Sequence, residues 1–224
     1  MKKEIRTLLL IASVIAIVGI VGTLMYRQSA QSTPPVNQQQ PDLTEKLVRP
    51  DSPNLGPADA KVTVVEFLDP ECEACAQFAP TVKNLIKEFP QVRFVFRSMP
   101  LHPNARLAAS YAEAAGEQGK YWEMLEIMFR RQSEWGQIHG PAPKEPRPAP
   151  SVVFDKFAEE IGLNIDQLKS SAVNPKHAAK ADRDLADGRS LGVRQTPTFF
   201  VNGRKLARLG EADLRTMISE ELKK

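Results

Sequence analysis

The chain has only two cysteines and three histidines in 224 residues, and those scarcities exclude a good deal. A structural zinc site needs about four thiolate or imidazole ligands, commonly from a second C-x-x-C or a His pair. There is no third cysteine, and His102, His139 and His177 are scattered without ligand spacing, so no metal site is expected. Long runs of one charge sign are also missing. Arg130-Arg131 and Arg204-Lys205 are isolated pairs, which read as solvated charges and not as a track for a phosphate backbone. With a net charge of +3, no nucleic-acid partner is expected. No internal repeat is visible. The remainder is ordinary for a globular chain, 42% hydrophobic and 25% charged, and the length suits one domain with appendages.

One long apolar run is present, and it comes first. Lys2, Lys3 and Arg6 precede Leu8 to Met25, a stretch of 18 residues without a charge. A helix needs about 20 such residues to cross a bilayer. The apolar core of a cleaved signal peptide is shorter, about 7–15 residues, and "YRQSAQS" after the run lacks a clean small-x-small site. Residues 7–26 are therefore expected to be an uncleaved single-pass anchor in the cytoplasmic membrane. The preceding positive charges keep residues 1–6 in the cytoplasm and place the rest on the extracytoplasmic side. Either an anchor or a signal puts the cysteines where disulfides persist. Residues 27–50, with "STPPVNQQQP", have too little apolar content to fold and read as a flexible linker.

From residue 51 onward the pattern is that of an α/β domain. "VTVVEFL", Val62 to Leu68, is short and β-branched with turn-formers on both sides, as a buried strand should be. Asp69-Pro70 ends it. The apolar positions Cys75, Phe78, Ala79, Val82, Leu85, Ile86 and Phe89 then recur at steps of three and one, the stripe of a helix, which Pro90 stops. "VRFVFRS", Val92 to Ser98, is the next strand. Strand, helix and strand with short joins make a βαβ unit, hence a parallel pair. Helical patterns fill the middle, with Ser151 as an expected N-cap. Near the end, Thr198 to Val201 and Arg204 to Ala207 read as strands joined by Asn202-Gly203, the dipeptide of a type I′ hairpin. Glu211 to Leu222 is a closing helix.

The two cysteines lie in "DPECEAC", Asp69 to Cys75. Three readings compete: a redox couple, half of a metal site, or two incidental core residues. Placement favours the first. Cys72 falls at the start of a helix, where unpaired N–H groups and the positive end of the helix dipole stabilise an anion. Its pKa should lie below that of a free thiol, and only the thiolate attacks a disulfide. Cys75, one turn on and on the buried face, is placed to resolve a mixed disulfide. Such a chain carries its own redox couple and implies no bound cofactor. Between the cysteines stand Glu73 and Ala74. A carboxylate there, with Glu71 adding in the same direction, repels a thiolate and should partly offset the helix. Glu66, in the middle of an apolar strand, is costly to bury without a job or a partner.

Several segments together resemble the DsbA-like thioredoxin-fold oxidoreductases: "VTVVEFLDPECEAC", the "PLHPNA" turn leading into alanine-rich helices, "GKYWEM", and "TPTFFVNG". The likeness covers roughly Asn54 to Leu222. It implies a thioredoxin fold over 51–224 with an α-helical insertion at about 103–190. It also implies that the Thr196-Pro197 bond is cis and faces the active-site disulfide, leaving the Thr196 backbone free to pair with an extended substrate. Glu66 takes the place of the family's buried acid and is expected to exchange protons with Cys75. The sequence departs from most close relatives in having neither a proline nor an aromatic residue between the cysteines, which bears on redox poise and not on fold.

The expected function is thiol–disulfide exchange with exported cysteine-containing proteins, by oxidation or isomerisation, with a quinone-linked membrane protein as the partner that recycles the disulfide. Two alternatives stand beside it. One is a reductase feeding cytochrome c or metal-site assembly. The other is a copper-binding or delivery module using both thiolates, with Met99 and His102 as additional ligands.

Overall fold

A computed structural model describes residues 40–140 and 145–224. The expected cytoplasmic segment 1–6, the anchor 7–26 and most of the linker lie outside the described residues. Among the described residues, no helix is long and apolar enough to cross a membrane.

The elements follow in the order α1 (Gln40–Leu47), β1 (Asn54–Leu55), β2 (Thr63–Leu68), α2 (Glu73–Glu88), β3 (Arg93–Ser98), α3 (Ala105–Gly116), α4 (Tyr121–Arg130), α5 (Pro150–Glu160), α6 (Ile165–Ala172), α7 (Pro175–Ser190), β4 (Thr198–Val201), β5 (Arg204–Lys205) and α8 (Glu211–Lys223). The strands form one sheet in the order β1-β3-β2-β4-β5. β2 and β3 are parallel, Thr63 beside Arg93 and Leu68 beside Ser98, as the βαβ pattern predicts. β4 runs antiparallel to β2, with Thr198 opposite Phe67. That register sets the residues just before β4 next to the end of β2, where the cysteines begin.

Alternation along the strands sends side chains to two cores. Val64, Leu68, Phe94, Phe96 and Phe199 join Cys75, Val82, Leu85, Leu214 and Ile218 on the face covered by α2 and α8. Val65, Phe67, Val95, Met99 and Phe200 face the other way, with Leu47 and Val193. On that second face α7 lies close against the sheet. A Cβ on Gly188 would stand 2.8 Å from Met99 Sδ and 3.0 Å from the Phe67 ring, so a side chain there would collide. The helices α3 to α7 fall within the expected insertion and hold a third core, in which Tyr111, Met128, Trp135, Phe154 and Phe157 pack together. Asn202 and Gly203 both have positive φ, 46° and 82°, as a type I′ turn requires.

Two local readings need correction. Residues 40–50, assigned by composition to the flexible linker, are folded. Leu47 is buried and Leu43 packs on the second core. Arg97 Nη1 donates to the carbonyls of Lys46 and Leu47, closing the end of α1. Arg49 donates to both Asp187 carboxylate oxygens at 2.9 Å. Two leucines four apart, Leu43 and Leu47, were the available signal, outweighed by the polar residues around them. Ala149, not Ser151, is the N-cap of α5, because Pro150 takes the first helical position, where its missing N–H costs nothing. Pro80 lies inside α2, so the helix continues through one lost backbone donor.

Candidate active site

Cys72 is the N-cap of α2, with extended backbone angles of φ −77° and ψ 121°. Its N–H donates to Asp69 O at 3.1 Å, and its carbonyl accepts from Ala76 N at 3.1 Å. These two bonds fix the turn between the end of β2 and the first turn of the helix. Both cysteines are thiols, the reduced form of the pair. Cys72 Sγ lies 3.3 Å from Thr196 O, and the Thr196–Pro197 peptide bond is cis. The loop that carries it is closed by Thr198 Oγ1 donating to Gln195 O at 2.7 Å. Both cysteines are buried, Cys72 at 8% exposed and Cys75 at 1%, so Cys72 is the nearer of the two to the surface.

The two thiols differ sharply in proton affinity. Cys72 is pulled down to about 5. The largest cause is a hydrogen bond with the Cys75 side chain. Bonds from the Thr196 side chain and from the backbone of Cys75 and Ala74 act in the same direction and outweigh burial. At pH 7 the anion then exceeds the neutral thiol by about a hundredfold. Cys75 is pushed far up, first by burial, then by its bond to Cys72 and by the charge of Glu66.

Glu66 points into the same core. It is 5% exposed, and its carboxyl makes no hydrogen bond among the described residues. Burial alone raises its pKa to about 8, so it is mostly protonated at neutral pH. It lies at the edge of a groove of about 510 Å³ between α2 and α4, lined by Ala76, Pro80, Phe96, Trp122 and Phe129 among others. Across this groove Lys83 Nζ reaches both Glu126 carboxylate oxygens at 2.9 Å.

The carboxylates nearest the cysteines in sequence have other partners. Glu73 is exposed, and its Oε1 lies 2.8 Å from His139 Nε2, so solvent and histidine take up charge that the sequence set against the thiolate. Glu71 is buried and accepts from Asn104 N at 2.6 Å and Asn104 Nδ2 at 2.8 Å. Met99 is buried on the opposite face of the sheet, and His102 Nδ1 is 2.8 Å from Asp69 Oδ2. Met99 is therefore not arranged with the two thiols as a copper ligand, and the Nδ1 atom of His102 is taken by Asp69. Among the described residues no cluster of His, Cys, Asp and Glu suits a metal ion. Asp69 was read only as a strand terminator. Its side chain organises the loops around Cys72, and the "PLHPNA" turn was the trace of this in the sequence.

Known proteins agree with this geometry. The family model described as Thioredoxin matches residues 49–220. A thioredoxin-like oxidoreductase from Silicibacter pomeroyi superposes with a TM-score of 0.64 at 27% identity, covering 80% of this chain and 98% of that one. Oxidised BdbD from Bacillus subtilis gives a TM-score of 0.64 at 25% identity, covering 77% and 94%. A curated relative, Na(+)/H(+) antiporter NhaA 3 of Salinispora tropica, is 38% identical over 162 residues, 70% of this chain and 23% of the relative. The chain thus spans about a quarter of that relative's length. With a thioredoxin-type sheet, a helix-capping C-x-x-C and DsbA-like structural neighbours, the chain belongs to the thioredoxin family as a thiol–disulfide oxidoreductase of the DsbA-like kind.

Proposed function

We propose that this chain oxidises thiols to disulfides, or isomerises disulfides, in exported cysteine-containing proteins, using Cys72 and Cys75 as its redox couple. The observation that carries the reading is the asymmetry of the pair: Cys72, at the helix N-cap, has its pKa lowered to about 5, beside a more deeply buried Cys75 held protonated. A stabilised thiolate favours the reduced enzyme, and an enzyme that prefers to be reduced is an oxidant.

The cycle starts from the Cys72–Cys75 disulfide. A substrate thiolate attacks Cys72 Sγ, the Cys72–Cys75 bond breaks, and Cys75 leaves with the electron pair. Glu66, neutral below about 8, gives Cys75 the proton it needs. A second substrate thiolate then attacks its neighbour in the mixed disulfide and expels Cys72 as the stable anion. The substrate loses two electrons and the enzyme gains them. In isomerisation the second half runs backwards first, with Cys72 attacking a substrate disulfide. The cis Thr196–Pro197 segment presents its backbone beside Cys72 and pairs with an extended substrate as an added strand would.

The apolar run at 7–26 and its positive flank support an anchor in the cytoplasmic membrane with the enzyme domain on the extracytoplasmic side. A membrane redox protein recycles Cys72–Cys75 there. Labelling intact cells with a membrane-impermeant maleimide checks the placement, and reduced Cys72 should be modified without lysis.

The deciding experiment is equilibration of the full-length chain with glutathione buffers. A potential well above about −200 mV fits an oxidase or isomerase, whereas one near or below about −270 mV assigns the chain to reduction.

A further inference from the structure

Asp69 closes β2, and His102 lies just beyond the end of β3. The two strands are parallel neighbours with Leu68 beside Ser98, and Met99 N donates to Leu68 O at 2.8 Å. Their outgoing loops therefore run side by side, next to the helix end that Cys72 caps. There Asp69, 0% exposed, collects four donors. Its Oδ1 accepts from Glu71 N at 2.7 Å. Its Oδ2 accepts from Leu101 N at 2.7 Å, from His102 N at 3.1 Å and from His102 Nδ1 at 2.8 Å. A carboxylate only accepts, so the Nδ1 atom must carry a proton. That fixes the tautomer and leaves Nε2 as the atom that titrates. The His102 side chain is 27% exposed, so its proton exchanges with water.

Three acidic groups act on this imidazole. Burial opposes its charge, but the hydrogen bond to Asp69 and the negative charges of Asp69, Cys72 and Glu71 outweigh burial and raise its proton affinity. Glu71 is itself held by Asn104. Arg106, in the first turn of α3, is engaged by Asp182. Glu71 thus meets only neutral donors, and the Cys72 sulfur is the remaining negative group acting on the ring.

We propose that His102, oriented by Asp69, is a positioning residue for disulfide exchange whose imidazolium supplies positive charge to the Cys72 thiolate. The Glu73-Ala74 dipeptide between the cysteines cannot supply it. The proposal rests on the exchange function above and names where that function obtains part of its poise.

Coupling of this kind is reciprocal: what the imidazolium does for the thiolate, the thiolate does for the imidazolium. Oxidation removes the thiolate, so His102 must then hold its proton less tightly. NMR titration of the His102 ring in the full-length chain, reduced and then oxidised, reads this directly, with the resonance assigned by its absence in His102→Asn. The expected result is a His102 pKa higher in the reduced form by about one unit. His102→Asn retains an N–H donor toward Asp69 but no charge. In that variant the Cys72 thiolate absorbance should titrate about one unit higher, leaving about tenfold less anion at pH values below its midpoint. Equal His102 titration in the two redox forms overturns the proposal, even if the variant does not fold. Failure of the exchange function shows elsewhere, as a wild-type chain that does not equilibrate with glutathione whatever its histidine does.

Discussion

Glu66 in β2 and Arg97 in β3 are both buried ionisable residues at the centre of one sheet, and they sit on opposite faces. Arg97 is fully buried, and its Nη2 donates to Asp184 at 2.8 Å and to Asp187 at 2.6 Å. Those acids are shared with Arg183 and Arg49, and Arg97 also lies 5.5 Å from the centre of the Phe67 ring. Here the penalty of taking charge out of water is offset by pairing. Glu66 has no hydrogen-bond partner among the described residues, and burial is met by keeping the proton, with a pKa of about 8. Paired charge holds the α7 side together. The unpaired acid on the other face stays mostly protonated at neutral pH.

That contrast is broken most severely by Arg97→Met, which leaves Asp184 and Asp187 short of a partner in a dry layer. Removing one member of a buried ion pair typically costs about 3–5 kcal/mol. Urea unfolding should show a loss of that size, while exchange per folded molecule stays near wild type.

Glu66→Gln should do the reverse, slowing exchange by about a hundredfold, as loss of a proton donor commonly does. Its effect on stability has a sign fixed by the raised pKa. Wild-type Glu66 binds its proton up to about 8 when folded, against an ordinary 4.5. The stability this proton carries is whole below about 4.5, falls as pH rises, and is gone above about 8. The variant lacks that decline. It should match wild type near pH 4 and exceed it at pH 8 by a few kcal/mol, at about 1.4 kcal/mol per unit. Equal pH profiles in urea would show that Glu66 is not titrating as a buried acid.

The smallest effect is expected from Glu73→Gln. Its carboxylate is solvated and faces His139, so the Cys72 titration should move down by less than about half a unit. A larger drop in the thiolate absorbance midpoint would restore to Glu73 the control that its place in the sequence suggested.

Local patterns carried the fold a long way. The β-branched run of β2, the stripe of α2 and the Asn202-Gly203 turn each declare their structure within a few residues. The cysteine pair was legible for the same reason, because helix ends and C-x-x-C spacing are local facts. The rest depended on neighbours far along the chain. Nothing around Asp187 announces that Arg49 and Arg97 converge on it, 138 and 90 residues away. Nothing in "LHP" shows that His102 meets Asp69, because the meeting is made by two strand ends lying in register. Helix α1 was missed because two leucines in a polar stretch have little meaning until a surface exists to receive them.

The groove between α2 and α4 has one more consequence. Thr196 and Pro197 approach Cys72 from the β4 side of α2, whereas Glu66 borders an opening on the α4 side. Under the proposed exchange, a substrate bound on the Thr196 side would leave open the flank that Glu66 borders, a separate route by which the acid can regain its proton from water.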